Sequence, residues 1–161
     1  MTSKTVPISL LKDPRHFLSL GFGSGLAPKA PGTFGTLAAI PVYLFMALFM
    51  SDLIYITTIV LAFFLGIYLC QQTTNALGVD DHPAIVWDEF VGYFITMLFV
   101  PLTLTTVVLG FFFFRIFDIL KPWPISVIDS RIKGGLGVML DDVLAGCFAL
   151  AAMHLCLWLF Y

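Results

Sequence analysis

Two pairs of adjacent carboxylates each stand directly before a long apolar stretch. The first pair is Asp88 and Glu89, and the second is Asp141 and Asp142. Carboxylates near a helix N-terminus gain from the helix dipole, so capping is one explanation for them. However, acids that enter a membrane are costly unless they are paired or bind a metal. We therefore favour a functional role for both pairs.

A glycine follows each pair at the same spacing. Gly92 comes four residues after Asp88, and Gly146 comes four residues after Asp142. Residues four apart share a helix face, and glycine there lets another helix approach closely. We expect the two acidic helix starts to meet at one level and to bind a hard cation such as Mg²⁺. Asp81, in the preceding loop, is either a supporting ligand or ordinary loop polarity.

A third group of charges lies in the stretch FRIFDILKPWP. Arg115, Asp118 and Lys121 recur every three residues, and Pro122 ends the stretch as a helix. Because residues three apart are neighbours on a helix, the three side chains share one face. They form either an internal ion-pair ladder or a cationic arm that binds phosphate, with Asp118 orienting the arm or binding metal. Both interpretations stay open at this point.

A glycine-rich segment, GFGSGLAPKAPGTFGT, covers residues 21–36. Glycines let backbone amides approach a phosphate, and the N-terminus of the following helix favours an anion. Lys29 and Thr33 could add donors, as could Lys133 at the start of a flexible glycine turn before Asp141. The segment is not a Walker A loop. A loop that simply packs against the helices explains the composition equally well.

The composition predicts the elements that position these residues. Of the 161 residues, 60% are hydrophobic and only 11% are charged, and the mean hydropathy is +1.00. A soluble domain carries about a quarter charged residues, so we predict an integral membrane protein of one domain, residues 1–161. The net charge of −2 gives no reason to expect a nucleic-acid partner.

The apolar stretches predict an all-α, polytopic membrane bundle with about four to five membrane helices. They lie near residues 36–50, 53–70, 90–117 and 143–161. The run over 90–117 is long for one span, so we divide it into two helices near Pro101. Residues 1–20 mix apolar and charged side chains and predict a short interfacial segment, not a cleaved signal peptide.

The charges are distributed unevenly between the two ends of these spans. If the N-terminus is cytoplasmic, all eight Lys and Arg and nine of the ten acids lie on the inner side, with Asp52 as the exception. The positive-inside rule favours this orientation. That rule does not ask for acids inside, so the asymmetry indicates a site as well as a topology. The alternative is that short outer loops leave no room for charges.

Four stretches together resemble the phosphatidylglycerophosphatase A family of bacterial membrane lipid phosphatases. They are GFGSGLAPKAPGTFGTLAAIP (21–41), DHPAIVWDEFVG (81–92), FRIFDILKPWPI (114–125) and GGLGVMLDDVLAG (134–146). The resemblance extends over nearly the whole chain from about residue 16. It implies a Mg²⁺-dependent, multi-pass enzyme of the bacterial inner membrane. Such an enzyme converts phosphatidylglycerophosphate to phosphatidylglycerol at the cytoplasmic face.

This hypothesis assigns roles to eleven residues and one cofactor. The expected catalytic residues are Asp88, Glu89, Asp118, Asp141 and Asp142. The expected Mg²⁺ ligands are Asp88, Glu89, Asp141, Asp142 and Asp81. The expected substrate-binding residues are Lys29, Thr33, Arg115, Lys121 and Lys133. The sequence leaves open whether water or an aspartate attacks phosphorus, and it does not indicate an oligomeric state.

Two alternatives come from other functional classes. A small cation-coupled transporter would use intramembrane carboxylates, but it would prefer them near the middle of a span. A non-catalytic membrane subunit would leave the paired acids and Arg115 without a purpose. We therefore expect a lipid phosphatase whose partners are its phospholipid substrate and the membrane.

Overall fold

The computed structural model describes residues 6–160, and every regular element among them is helical. The α-helices are α1 (Pro14–Ser19), α2 (Pro31–Phe49), α3 (Asp52–Leu77), α4 (Trp87–Thr96), α5 (Leu104–Leu120), α6 (Ile125–Arg131) and α7 (Gly134–Phe160). Two 3-10 helices, Ile8–Lys12 and Gly21–Leu26, flank α1. The predicted all-α class is confirmed for this part of the chain.

Within residues 6–160, three helices are long and apolar enough to cross a membrane. They are α2, α3 and α7, with 19, 26 and 27 residues. At about 1.5 Å per residue these helices span roughly 28–40 Å, which matches a hydrocarbon core of ~30 Å. The chain is therefore a membrane protein. With 10 residues in α4 and 17 in α5, the predicted fourth and fifth membrane helices remain predictions.

The predicted division of the apolar run 90–117 is confirmed. α4 ends at Thr96, and α5 begins at Leu104. Pro101 lies in the connection between them, and its carbonyl oxygen accepts a hydrogen bond from Thr106 Oγ1 at 2.6 Å. The backbone N–H of Thr106 in turn donates to Thr103 Oγ1 at 3.2 Å. This reciprocal cap sets the first turn of α5.

α4 is the innermost helix of the bundle. Every residue after Trp87 is buried, and α4 packs against α2, α3, α5 and α7. Two tyrosines bring their hydroxyls to carbonyl oxygens in this interior. Tyr55 Oη donates to Phe94 O at 2.8 Å, and Tyr93 Oη donates to Val107 O at 3.1 Å. These bonds satisfy polar atoms that water cannot reach.

The glycines predicted to permit close helix approach do so. A Cβ built on Gly146 would lie 2.5 Å from the carbonyl oxygen of Gly92. A Cβ built on Gly92 would lie 2.8 Å from the carbonyl oxygen of Asp142. Because α4 and α7 cross backbone against backbone here, the acids on the two helices come to the same level.

α7 begins earlier than predicted. The sequence predicts a flexible turn from Lys133 and places Asp141 and Asp142 at a helix start. Instead, α7 begins at Gly134, so the two acids are its eighth and ninth residues. The glycine-rich first turns pack against α3, where Gln71 Oε1 accepts a hydrogen bond from the Gly135 N–H at 2.8 Å. Since the dipole effect fades within the first turn, these acids do not cap α7.

The glycine-rich segment is a packed loop over its first half. Gly21 and Gly25, in the 3-10 helix Gly21–Leu26, lie directly against Val86, and Gly25 also lies against Ala84. The Val86 N–H donates to the Ser19 carbonyl oxygen at 3.0 Å. The packing explanation therefore accounts for this half. The second half forms the start of α2, which begins at Pro31, five residues before the predicted start at residue 36.

The N-terminal segment lies against the helices on the side of the packed loop. Asp13 accepts hydrogen bonds from the Arg15 side chain and backbone, which lower the pKa of Asp13 to about 2. Ile8 is 77% exposed. Residues 1–5 lie outside the described residues, and the interfacial position of this segment remains a prediction.

Candidate active site

Charged side chains from four segments converge at one end of the bundle around a cavity of about 320 Å³. The segments are the loop before α4, α4 itself, the C-terminal part of α5 with the residue that follows it, and α7. The charged lining residues are Asp81, Asp88, Glu89, Arg115, Asp118, Lys121, Asp141 and Asp142. Every predicted catalytic residue and every predicted metal ligand is among them.

Three carboxylates form the centre of this site, which we call the carboxylate trio. They are Asp88, Glu89 and Asp142, which are 8%, 8% and 3% exposed. One oxygen from each lies within 4.8 Å of the others. Asp88 Oδ1, Glu89 Oε2 and Asp142 Oδ2 are also buried without a hydrogen-bond partner. Such a concentration of buried like charge is costly unless positive charge compensates it.

The trio fits a hard divalent cation. Carboxylate oxygens are the ligands that Mg²⁺ and Ca²⁺ prefer. In an octahedral Mg²⁺ site with bonds of about 2.1 Å, ligand oxygens lie up to about 4.2 Å apart, so small side-chain movements would bring the trio to that geometry. The unpartnered oxygens would also gain the partner that they lack. Asp88, Glu89 and Asp142 are therefore the residues that could hold a metal ion.

Asp141 faces Lys121 and not the trio. Lys121 Nζ donates to Asp141 Oδ2 at 2.5 Å and to Asp129 Oδ1 at 2.7 Å. Burial disfavours the ammonium, but these two hydrogen bonds outweigh it and raise the pKa of Lys121. Adjacent helical residues point about 100° apart, so Asp141 and Asp142 face different partners. The structure thus brings Asp141 to the cavity, but as the partner of a lysine.

Arg115 links the trio to α5. Its Nη1 atom lies 2.5 Å from Asp118 Oδ2 and 3.8 Å from Glu89 Oε1, and its side chain is 14% exposed. A guanidinium carries five N–H donors, so Arg115 can bind phosphate oxygens while it keeps Asp118 as a partner. The proposed ladder holds only for Arg115 and Asp118. Lys121 follows the last residue of α5 in a left-handed conformation with φ 42°, so it does not continue the helical face of Arg115 and Asp118.

Three predicted phosphate-binding residues lie outside the cavity. Lys29 is exposed in the loop before α2. Thr33 lines a separate, apolar groove between α2 and α5. Lys133 is exposed, and its Nζ donates to the Asp129 carbonyl oxygen at 3.1 Å. None of the three lines the charged cavity, although Thr33 shares its groove with Arg115 and Lys133 shares a small pocket with Asp81 and Asp129.

Gly32 and Asp129 are the residues that the sequence prediction missed. Gly32 lines the cavity, and a Cβ there would collide with Glu89 Oε1 and lie 3.1 Å from Arg115 Nη1. No side chain caps this first turn of α2, so its dipole favours an anion beside the trio. The glycine-rich composition pointed to the region but not to the position. Nothing in the sequence pattern marked Asp129 as the second partner of Lys121.

Fold and site together define a class of protein. It is a helical membrane protein with a buried cluster of carboxylates that could hold a cation, beside an arginine and a helix N-terminus. This arrangement suits a phosphorylated ligand. Residues 17–157 match the family model of phosphatidylglycerophosphatase A. The chain therefore belongs to the phosphatidylglycerophosphatase A family, a family of phosphatases, as the resemblance predicted.

Two relatives from the curated proteins extend over most of the chain. The phosphatidylglycerophosphatase A of Escherichia coli K12 is 45% identical over 154 residues, which cover 94% of this chain and 89% of the relative. The phosphatidylglycerophosphatase A of Haemophilus influenzae Rd is 48% identical over 143 residues, which cover 88% and 87%. No solved structure matches the chain.

Proposed function

We propose that this protein hydrolyses the terminal phosphate monoester of phosphatidylglycerophosphate. The observation that carries the proposal is the carboxylate trio with its unpartnered oxygens beside Arg115, in a chain with two relatives that carry this activity in their names. Water is the second reactant and supplies an oxygen to phosphorus and a proton to the glycerol oxygen. The bond between phosphorus and the glycerol oxygen breaks, phosphorus takes the water oxygen, and the glycerol oxygen takes a proton. Phosphatidylglycerol and inorganic phosphate are the products.

Asp88, Glu89 and Asp142 would hold the expected Mg²⁺. Their burial, their spacing and their unpartnered oxygens support this assignment. When bound, the ion supplies positive charge to the phosphate and makes a nearby water more acidic. This role also explains why three acids are retained together where each alone would be destabilising.

The other residues of the cavity would bind and orient the phosphate. Arg115 offers parallel N–H donors to two phosphate oxygens and stabilises the charge that develops there. Asp118 holds the guanidinium in place from 2.5 Å. The uncapped first turn of α2, at Gly32, adds its dipole to the same side. Lys121 contributes positive potential while its two hydrogen bonds fix α6 against α7.

The cavity would lie at the cytoplasmic face of the bacterial inner membrane. The distribution of Lys and Arg supports this orientation. The connection between α4 and α5 lies beside the turn between α2 and α3, since Phe99, Met50 and Asp52 line one cavity there. This placement supports α4 and α5 as a hairpin within the bilayer, which would give five crossings. Labelling of Asp80→Cys and Asp52→Cys with an impermeant maleimide in oriented vesicles would test it.

Phosphate release from phosphatidylglycerophosphate by purified protein in detergent tests the proposed activity. The wild type should need Mg²⁺ and should stop in EDTA. Asp88→Asn should lose more than the roughly 10–100-fold typical of outer-shell partners of a metal site. Asp52→Asn, an exposed acid at the start of α3, is the matched control and should keep activity.

Three results would contradict the proposal. They are a folded wild type without phosphate release, full release in EDTA, or near wild-type activity in Asp88→Asn. The first result would move support to a cation-coupled transporter or a non-catalytic subunit. The second would rule out a requirement for Mg²⁺ but would leave the phosphatase activity in place. The third would show that Asp88 is not part of the active site.

A further inference from the structure

A second, apolar space lies beside the charged cavity on the surface of the bundle. We call it the α2–α5 groove. Its volume is about 380 Å³, and its lining comprises Thr33, Phe111, Phe112, Arg115, Ile116, Ile119 and Leu120. Ile116 and Leu120 are 46% and 72% exposed. Apart from Thr33 and Arg115, every lining side chain is apolar, so the groove suits a hydrocarbon and not a polar ligand.

The groove and the charged cavity are neighbours with a shared border. Arg115 and Ile119 line both spaces. On the opposite side, α2 contributes Gly32 to the cavity and the next residue, Thr33, to the groove. One molecule can therefore place an anionic group in the cavity and an apolar group in the groove. Arg115 would then lie at the boundary between them.

The groove has the direction that a lipid tail needs. Its α5 residues run from Leu120, beside the charged cavity, back to Phe111, a rise of about 13 Å along the helix. This path leads away from the carboxylate trio and into the apolar part of α5, where Phe111, Phe112 and their neighbours form a continuous run. A phospholipid in the same leaflet has its tail in this direction when its headgroup is at the charged level.

We propose that the α2–α5 groove holds an acyl chain of the lipid whose phosphate monoester occupies the charged cavity. The substrate then enters sideways from the bilayer between α2 and α5. This inference rests on the proposed phosphatase function and deepens it, because it assigns the recognition of the lipid part to residues outside the charged cavity. Selection of lipid phosphates over water-soluble phosphates follows from it.

A matched pair of substitutions on α5 tests the groove. Ile116→Trp fills the groove, whereas Val108→Trp adds the same bulk at a position that is 44% exposed on the same helix and outside the groove lining. Both variants are first compared with the wild type by size-exclusion chromatography in detergent. A phosphatidylglycerophosphate analogue with a diazirine in one acyl chain is then photo-crosslinked to each protein, and the labelled residues are mapped by mass spectrometry.

The wild type should be labelled within residues 111–120, and unlabelled phosphatidylglycerophosphate should compete the label away. Ile116→Trp should reduce this label about tenfold, because excluding roughly two methylene groups from an apolar contact has an effect of that size. Val108→Trp should label like the wild type. Labelling that resists competition would identify non-specific lipid contact and would overturn the proposal, as would equal labelling of the two variants.

Kinetics on the same samples separate this inference from the proposed function. The kcat/KM for phosphatidylglycerophosphate should fall about tenfold in Ile116→Trp and stay near wild type in Val108→Trp. If both variants kept wild-type kinetics in an active protein, the groove assignment alone would fall. If the wild type released no phosphate, the proposed function would fall, and the competed label would still decide whether a lipid chain occupies the groove.

Discussion

The Asp142→Asn substitution should abolish activity and stabilise the metal-free protein. It removes one charge from the carboxylate trio and keeps the shape of the side chain. Asp142 is 3% exposed, and its ligand oxygen lies within 4.8 Å of those of Asp88 and Glu89. At an effective dielectric constant of ~20, two unit charges at that distance repel by about 3.5 kcal/mol. The fully ionised trio contains three such pairs, and Asp142 takes part in two of them, so its charge accounts for about 7 kcal/mol of the repulsion.

Structural relaxation and water entry reduce this value, but the substitution still removes a buried charge that no cation compensates in the metal-free protein, so the variant should be the more stable of the two. Asp142→Asn should therefore unfold at a higher temperature than the wild type in EDTA. Mg²⁺ at about 100 times its Kd should stabilise the wild type by about 2.7 kcal/mol, or roughly 5–10 °C for a chain of this size. The variant, with one ligand fewer, should gain much less from Mg²⁺.

Thermal unfolding in detergent, followed by tryptophan fluorescence with EDTA and with Mg²⁺, measures these shifts. Phosphate release from phosphatidylglycerophosphate is measured on the same samples. Asp52→Asn, at the other end of the bundle, should follow the wild type in both assays. The reasoning would be refuted if Asp142→Asn melted below the wild type in EDTA, or if Mg²⁺ shifted both proteins equally.

Three further substitutions test other parts of the site and the fold. Arg115→Lys should lower kcat/KM roughly 10–100-fold at an unchanged melting temperature, since an ammonium cannot make the paired donation to phosphate; phosphate release measures this. Lys121→Met should lower the free energy of unfolding by about 1–3 kcal/mol. Because the pKa of Lys121 is raised, its contribution should be fully present below pH 10.5 and should be lost only as the pH rises toward the folded value. Gly146→Val should eliminate the monodisperse peak in size-exclusion chromatography, because its Cβ would lie 2.5 Å from Gly92 O, whereas Ala151→Val, on the exposed face of α7, should not.

The acid pairs show how far sequence reasoning reaches. Asp88 and Glu89 are in the first turn of α4, and both join the trio as predicted. Of the second pair, only Asp142 joins it, because Asp141 faces Lys121 and accepts its hydrogen bond. Residue identity showed that an acidic site exists, but the partner of each acid depends on how the neighbouring helices pack.

The same limit applies where α2 meets the site. Gly32 lines the charged cavity and Thr33 lines the apolar groove, although both belong to one glycine-rich segment. Consecutive residues on a helix point in directions about 100° apart, so one can face the cavity while the next faces the groove. The composition of the segment does not show which residue faces which space. The close contact of Gly92 with Gly146 was predictable, because residues four apart share a face whatever the start of the helix.

α7 also determines when the site can exist during biosynthesis. The two acids of α4 and the arginine of α5 precede Asp142 in the chain, and α7 is the last helix. Most residues that line the charged cavity are therefore synthesised before Asp142, the third carboxylate of the trio. Until α7 has been inserted, the trio lacks Asp142, and the backbone of Gly92 lacks the helix that covers it. The carboxylate trio therefore assembles later than the part of the cavity that α4 and α5 provide.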